Sequence, residues 1–245
     1  MKQRPILIQG ALQSEIDWLL EVLAPCTQRE IGGFSFYEGA YGGVPVVISK
    51  TKMGEVCAAI ATTLGLSQYR PVWILNQGTA GACERSLHTG DLVIGERVCY
   101  LAPYATAHDR ESDPLNPWKT SGYRSLDGES ISLATDERLL AWLRELDLPS
   151  SGSVQVGALG SGDVWTRAHG EIADHYERLG VLCEAMECTG VYMAANSRGV
   201  PAVSIRVISN NELLGERYQP DSGVIAQQYA LALVKAWAAL DIQPL

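Results

Sequence analysis

Val72-Trp73-Ile74-Leu75-Asn76-Gln77-Gly78-Thr79-Ala80-Gly81-Ala82 is the stretch on which the fold turns. It opens as an unbroken apolar run and passes into small residues and glycine. Unbroken apolar character, without alternation, marks a strand buried on both faces. The segment therefore reads as a core strand over 72–76 followed by a glycine-bearing turn over 77–82. Similar buried runs occur at Pro5-Ile6-Leu7-Ile8-Gln9-Gly10, at 154–159 and at 201–208. Residues 90–94 read as a further strand. Residues 34–37 and 44–49 flank Gly42-Gly43, which predicts a hairpin.

Helical patterns fill the spaces between these runs. Leu12, Ile16, Leu19, Leu20 and Leu23 recur at helical spacing, and Pro25 ends that pattern. Residues 55–68 are Ala-rich and helical. Residues 135–147 carry Thr135 as a predicted cap, with Asp136 and Glu137 in the first turn. Residues 186–198 close at Gly199, and residues 222–240 form a last amphipathic helix. Strands alternating with helices predict an α/β fold. Its form is a three-layer sandwich with a central, mixed and mostly parallel twisted sheet flanked by helices. No repeat or linker divides residues 1–245, so one domain is expected. Residues 101–128, with three prolines and no periodicity, read as a long loop.

Composition narrows the function. A net charge of −9 argues against a nucleic-acid partner, which calls for a basic surface. No apolar run approaches the ~20 residues of a membrane span. The apolar run at the N-terminus is too short for the core of a secretion signal. The six cysteines contain no C-x-x-C pair, so they read as free thiols in a reducing cytoplasm and not as metal ligands. Neither a metal nor a cofactor is expected.

Four constellations carry candidate chemistry. In such sheets, sites lie at the carboxyl ends of the strands. Glu15 falls just after the first strand, near the positive end of a predicted helix. The small residues Gly78, Thr79, Ala80, Gly81 and Ala82 allow a ligand close to the backbone. The motif lacks the lysine and glycine spacing of a phosphate loop. Glu184 and Glu187 lie in or beside an apolar run, where an unpaired carboxylate is costly. Arg206 interrupts a buried strand, which fits an arginine held against a buried carboxylate.

The order of these motifs resembles the methylthioadenosine/S-adenosylhomocysteine nucleosidase branch of the nucleoside phosphorylase superfamily. The resemblance spans nearly the whole chain. It is carried by GALQSE (10–15), NQGTAGA (76–82) with TGDLVIGE (89–96), GSGDVW (160–165), AMECTGVYMAA (185–195) and SIRVISN (204–210).

The resemblance implies hydrolysis of the N-glycosidic bond of a purine nucleoside, with a substituent at the sugar 5′ carbon. It implies that Glu187 grips the ribose hydroxyls and that Met186 packs on the sugar. Glu15 would activate water, helped by Thr79 and Arg206. Ala80 and Gly81 would contact the substrate, Trp165 would stack on the base, and the Thr166 backbone would meet the purine edge. A homodimer is also implied. The superfamily's phosphorylases place arginines early in the chain and just before the glycine segment. Neither stands here, so a phosphate dianion would lack its bidentate partners.

Three departures stand out. Asn210 occupies the position of the aspartate that protonates purine N7, and an amide delivers no proton. An asparagine there suits a 6-oxopurine, as in purine nucleoside phosphorylases and futalosine hydrolases. Ala185 replaces a glutamate, while Glu184 lies one position earlier. The 101–128 segment, with His108, differs from the family's usual loop.

Overall fold

The computed structural model describes residues 3–101, 131–148, 152–240 and 245. The predicted 101–128 loop, His108 included, lies outside the described residues apart from Leu101.

The first half runs β1 (Ile6–Gly10), a 3-10 turn (Gln13–Glu15), α1 (Asp17–Val22), β2 (Thr27–Ile31), β3 (Phe34–Tyr41), β4 (Val44–Lys50), α2 (Glu55–Tyr69) and β5 (Ile74–Ala82). The second half runs β6 (Leu92–Tyr100), β7 (Ser132–Ala134), α3 (Glu137–Arg144), β8 (Val154–Ser161), α4 (His169–Leu179), β9 (Val181–Ala185), α5 (Cys188–Asn196), β10 (Ala202–Asn210), a second 3-10 turn (Glu212–Leu214) and α6 (Ser222–Ala238).

A mixed sheet runs in the order β10-β6-β8-β9-β5-β1-β4-β3-β2, with β7 on β6. β1 lies parallel between β4 and β5, and β5 pairs parallel with β10. β10 pairs antiparallel with β6. β5 and β9 meet antiparallel at their C-terminal tips, Gly81 opposite Glu184 and Ala82 opposite Cys183. The pairings β5–β10 and β5–β9 thus close part of the sheet on itself. The α/β layering expected from the sequence is present, and this closure is an addition to it.

Two apolar clusters cover the two faces. One gathers Trp73, Trp142 and Trp237 with residues of α1, α3 and α6. Their rings meet at centroid distances of 5.4 to 6.1 Å, a separation that suits edge-to-face aromatic packing. The other cluster packs α2 and α5 against the opposite face through Ala58, Ala61, Val191 and Tyr192.

Three local expectations are corrected. Residues 77–82 are strand and not turn. Gln77 to Gly81 pair with Ile205 to Asn210 across a register shift after Ile208, Gly81 and Ala82 also pair with β9, and these ladders override the glycines' weak strand preference. The helix expected after β1 splits into the 3-10 turn and the short α1. The cap of α3 is Asp136 and not Thr135: its carboxylate accepts from the amides of Arg138 and Leu139. Thr135 turns inward and donates to the Gly95 carbonyl at 2.7 Å. Strands β2, β7 and β9 and helix α4 were not read from the sequence. β2 is an exposed, polar edge strand without an apolar signal.

α2 and α5 approach closely because position 190 has no side chain. A Cβ there would fall on the Glu55 carbonyl oxygen and lie 3.1 Å from the Ala59 nitrogen. Gly190→Ala is expected to lower stability by about 1–3 kcal/mol, the usual cost of overpacking. A denaturant titration checks this; an unchanged midpoint would mean the helices do not meet there.

Candidate active site

A cavity of about 170 Å³ opens at the C-terminal ends of β1, β5, β9 and β10. Its polar lining includes Glu15, Thr79, Glu184, Glu187 and Asn210. Ala80 and Gly81 form part of its wall, and Met53, Trp165 and Met186 add apolar surface. Eight of the predicted catalytic and substrate-contacting residues line this cavity, as does Glu184, while Arg206 and Thr166 are not part of its lining.

Glu15 is 6% exposed. The backbone turns tightly after β1, so the amides of Ala11 and Leu12 both donate to its Oε2, at 2.8 and 3.1 Å. Its Oε1 accepts from the Thr79 amide at 3.1 Å, and the Thr79 hydroxyl approaches at 3.4 Å. Several donors hold the carboxylate in one place, as a positioned base requires.

Arg206 is 2% exposed, yet it carries a full charge at the middle of β10. Its Nη2 donates to Asn76 Oδ1, contacts Cys188 Sγ at 3.1 Å and lies 3.9 Å from Glu187 Oε2. Burial works against its charge, but Cys188, Glu187 and Glu15 hold its pKa above the ordinary value. Gly78 makes room for this arrangement. A Cβ at residue 78 would stand 2.7 Å from both Arg206 Nη1 and Glu15 Oε1.

Glu187 sits at the N-cap of α5. Its carboxylate accepts from the Gly54 amide at 3.2 Å and the Met186 amide at 3.3 Å. Burial pushes its pKa up, and Arg206 opposes that shift.

Behind Glu187 lies a carboxylate that the sequence did not single out. Glu55 opens α2 and accepts hydrogen bonds from the Ser161 hydroxyl and, at 2.5 Å, from the Gly190 amide. Ser161 Oγ also accepts from the Thr189 amide at 3.2 Å. The network ties the start of α2 to the end of β8 and the first turn of α5, where Glu187 stands. Burial foremost, with the charges of Glu187 and Asp163 adding to it, raises the Glu55 pKa from 4.5 to about 7. In sequence Glu55 resembles any acid in a helix's first turn, and only the tertiary fold places it under Ser161.

The opposite end of the cavity holds the remaining groups. Trp165 is 55% exposed, and its ring leans on Tyr218 at 6.1 Å. Glu184 Oε1 accepts from the Thr166 amide at 2.7 Å, and Oε2 lies 3.2 Å from His175 Nδ1. The Thr166 amide is thus engaged by Glu184, while the expected contact of the Thr166 backbone with the purine edge names no particular atom. Cys83, His175 and Glu184 bring one ligand-type atom each within 4.8 Å of one another. The sequence reading missed this group because its members lie on separate elements. Burial foremost, with the nearby charge of Glu184 adding to it, raises the Cys83 thiol well above its ordinary pKa. All six cysteines are free.

The phosphorylase superfamily model matches residues 5–237. A methylthioadenosine/S-adenosylhomocysteine nucleosidase of Halalkalibacterium halodurans is 31% identical over 204 residues, covering 83% of this chain and 84% of the relative. The Colwellia psychrerythraea nucleosidase, solved in complex with adenine, superposes with a TM-score of 0.78 at 22% identity, covering 96% of each chain. A futalosine hydrolase mutant of Helicobacter pylori superposes with a TM-score of 0.76 at 22% identity, covering 97% of this chain and 100% of that one. The chain belongs to the phosphorylase superfamily, in its methylthioadenosine/S-adenosylhomocysteine nucleosidase branch.

Two outcomes follow from the geometry. Gly78→Ala is expected to drive Glu15 and Arg206 apart and to lower kcat/KM by about 10²-fold, the scale of a 1 Å misplacement. Wild-type kinetics in that variant would contradict the crowding described. Glu55 holds its proton more tightly in the folded chain than in the unfolded one. Its contribution to stability is complete below about pH 4.5 and is lost as pH rises through about 7. The swing is on the order of 3 kcal/mol. Relative to wild type, Glu55→Gln should gain stability between pH 5 and pH 8, and parallel pH–stability curves would contradict this.

Proposed function

We propose that this chain hydrolyses the N-glycosidic bond of a purine nucleoside bearing a 5′ substituent, releasing free base and a ribose derivative. The observation that carries the reading is the pairing of Glu15 and Glu187 on one cavity, with no lysine or arginine lining it among the described residues. Glu187 accepts from the ribose hydroxyls and stabilises the positive charge that grows on the sugar as the bond breaks. Met186 packs on the sugar. Glu15, fixed by the amides of Ala11, Leu12 and Thr79, takes a proton from the attacking water. Arg206 acts from beneath, holding Glu187 and Glu15 in place while itself bonded to Asn76. Trp165 stacks on the base above Ala80 and Gly81, and Asn210 meets its edge.

Water as nucleophile fits the charge distribution. A phosphate dianion needs unengaged guanidinium or ammonium groups. Arg206 is buried and already committed. The Halalkalibacterium relative bears the name of a methylthioadenosine/S-adenosylhomocysteine nucleosidase, and this supports a 5′-modified substrate. A homodimer is part of the proposal. Exposed Met53, Val164 and Trp165 share the cavity lining, and Val56 and Ile60 of α2 are also exposed, apolar surface suited to a second copy. A cytoplasmic location is proposed with it, on the six free thiols.

Nucleosides with and without a 5′-methylthio group, incubated with and without phosphate and read out as released base, test the proposal. Base release independent of phosphate is expected. Turnover only with phosphate would make the chain a phosphorylase. Glu187→Gln should lower kcat/KM by at least about 10²-fold, and near-normal activity would remove Glu187 from the site.

A further inference from the structure

Cys83, His175 and Glu184 meet where β5, β9 and α4 come together, and all three are buried. The sheet register explains how two of them converge. Gly81 of β5 stands opposite Glu184 of β9. Cys83, two residues past Gly81, is fixed by its amide, which donates to the Leu182 carbonyl at 2.8 Å. Alternate residues share a sheet face, so Cys83 and Glu184 are diagonal neighbours on one face. α4 brings the third. Ile172 and His175, one helical turn apart, are its buried residues and lie on the same side. Ile172 packs with Cys83, Cys99, Ala158 and Val181 in a small apolar cluster, which sets His175 over the strands.

The geometry of the three side chains suits a shared ion. Glu184 Oε1 accepts from the Thr166 amide at 2.7 Å, but the buried Oε2 accepts no hydrogen bond. His175 Nδ1 stands 3.2 Å from that oxygen, without the alignment of a hydrogen bond. Nitrogen and oxygen ligands on one tetrahedral zinc stand roughly 3.4 Å apart, given bonds of about 2.0–2.2 Å. The sulfur of Cys83 lies within 4.8 Å of both atoms. A movement of about 1 Å at most brings it to the roughly 3.6 Å that a zinc-bound thiolate keeps from its fellow ligands. Charge agrees with geometry. A thiolate and a carboxylate carry two negative charges and a ligating imidazole none, so the set neutralises a divalent cation, as a buried ion requires. Thiolate and imidazole together favour zinc over magnesium or calcium.

We propose that Cys83, His175 and Glu184 form a zinc site that braces α4 against the ends of β5 and β9. The ion enters through the cavity, whose wall includes Glu184. Three protein ligands leave its fourth position to water. The Thr166 amide orients the carboxylate from behind by holding Oε1. Burial and the Glu184 charge keep the Cys83 thiol protonated in the metal-free chain. The cation reverses that balance: the S–H bond breaks, the sulfur electron pair goes to zinc and the proton to solvent. The site stands apart from the nucleosidase reading, since no step of glycosidic cleavage passes through it.

The test uses the full chain, kept reduced, freed of metal with a chelator and desalted. It is titrated with Zn²⁺ by calorimetry and with Co²⁺ by absorption. One equivalent per chain is expected, and the cobalt form should show a thiolate-to-metal charge-transfer band. One proton leaves Cys83 for each ion bound, so affinity should fall about tenfold from pH 8.5 to pH 7.5. Zn²⁺ should also raise Tm. Cys83→Ala should lose the charge-transfer band and the Tm response. It should bind at least about 10²-fold more weakly, because the loss of outer-shell partners alone costs roughly 10–100-fold. Should that variant fail to fold, Glu184→Gln takes its place, with the same loss of affinity expected. Failure of wild type to bind one equivalent, a cobalt form without the thiolate band, or a folded variant that binds as wild type does overturns the proposal.

Discussion

A guanidinium shut away from water at the middle of a strand demands compensation from every neighbour. Arg206 is the largest charged side chain buried in the described protein, and an isolated buried charge costs several kcal/mol. Asn76 on the adjacent strand, Cys188 at the start of α5 and Glu187 at its cap supply the partners. Gly78 supplies the space. Two of the cavity's three carboxylates, Glu15 and Glu187, gain from the same charge. Glu187 resists neutralisation because Arg206 offsets part of its burial. A charge of this kind gives limited net stability, but it ties β5, β10 and α5 to one geometry.

A second tier of contacts surrounds this one. Glu55, Ser161 and the amides of Thr189 and Gly190 lock the first turn of α5, and so the backbone that carries Glu187. Donors aimed at Glu15 from Ala11, Leu12 and Thr79 do the same on the other side. Glu15 and Glu187 thus stand at a strand end and a helix start and are supported from behind. Support of this kind is what electrostatic stabilisation without reorganisation requires.

Much of this was legible in the sequence, and the remainder has physical reasons for being silent. Unbroken apolar runs marked β1, β5 and β10, because burial on both faces leaves no alternation to misread. Glu15 stood out at a strand end beside a helix start, Glu187 and Arg206 as charges in or beside apolar runs, and the fold brings the three together. The glycine segment misled, since local turn preference gave way to the β10 ladder, joined by β9 at the tip. β2 was invisible because an edge strand with an exposed, polar face carries no hydrophobic period. Glu55 and the Glu184–His175 contact depend on tertiary encounters between distant elements, for which one sequence holds no local signal. Tyr218 lies outside every motif, and only the fold brings it against Trp165.

The place of β10 in the sheet has a consequence for the life history of the chain. This strand, Ala202–Asn210, lies between β5 and β6, both made more than a hundred residues earlier. Until it docks, β5 lacks its long parallel partner, and Glu15 and Glu187 lack the cation that offsets them. Long-range pairing of this kind forms late, since loop closure must precede the contacts that reward it. A ribosome-bound chain holding only the first two hundred residues would carry both glutamates without the organised pair. Competence for chemistry is thereby coupled to completion of synthesis, and fragments truncated before β10 should be inert as well as unstable.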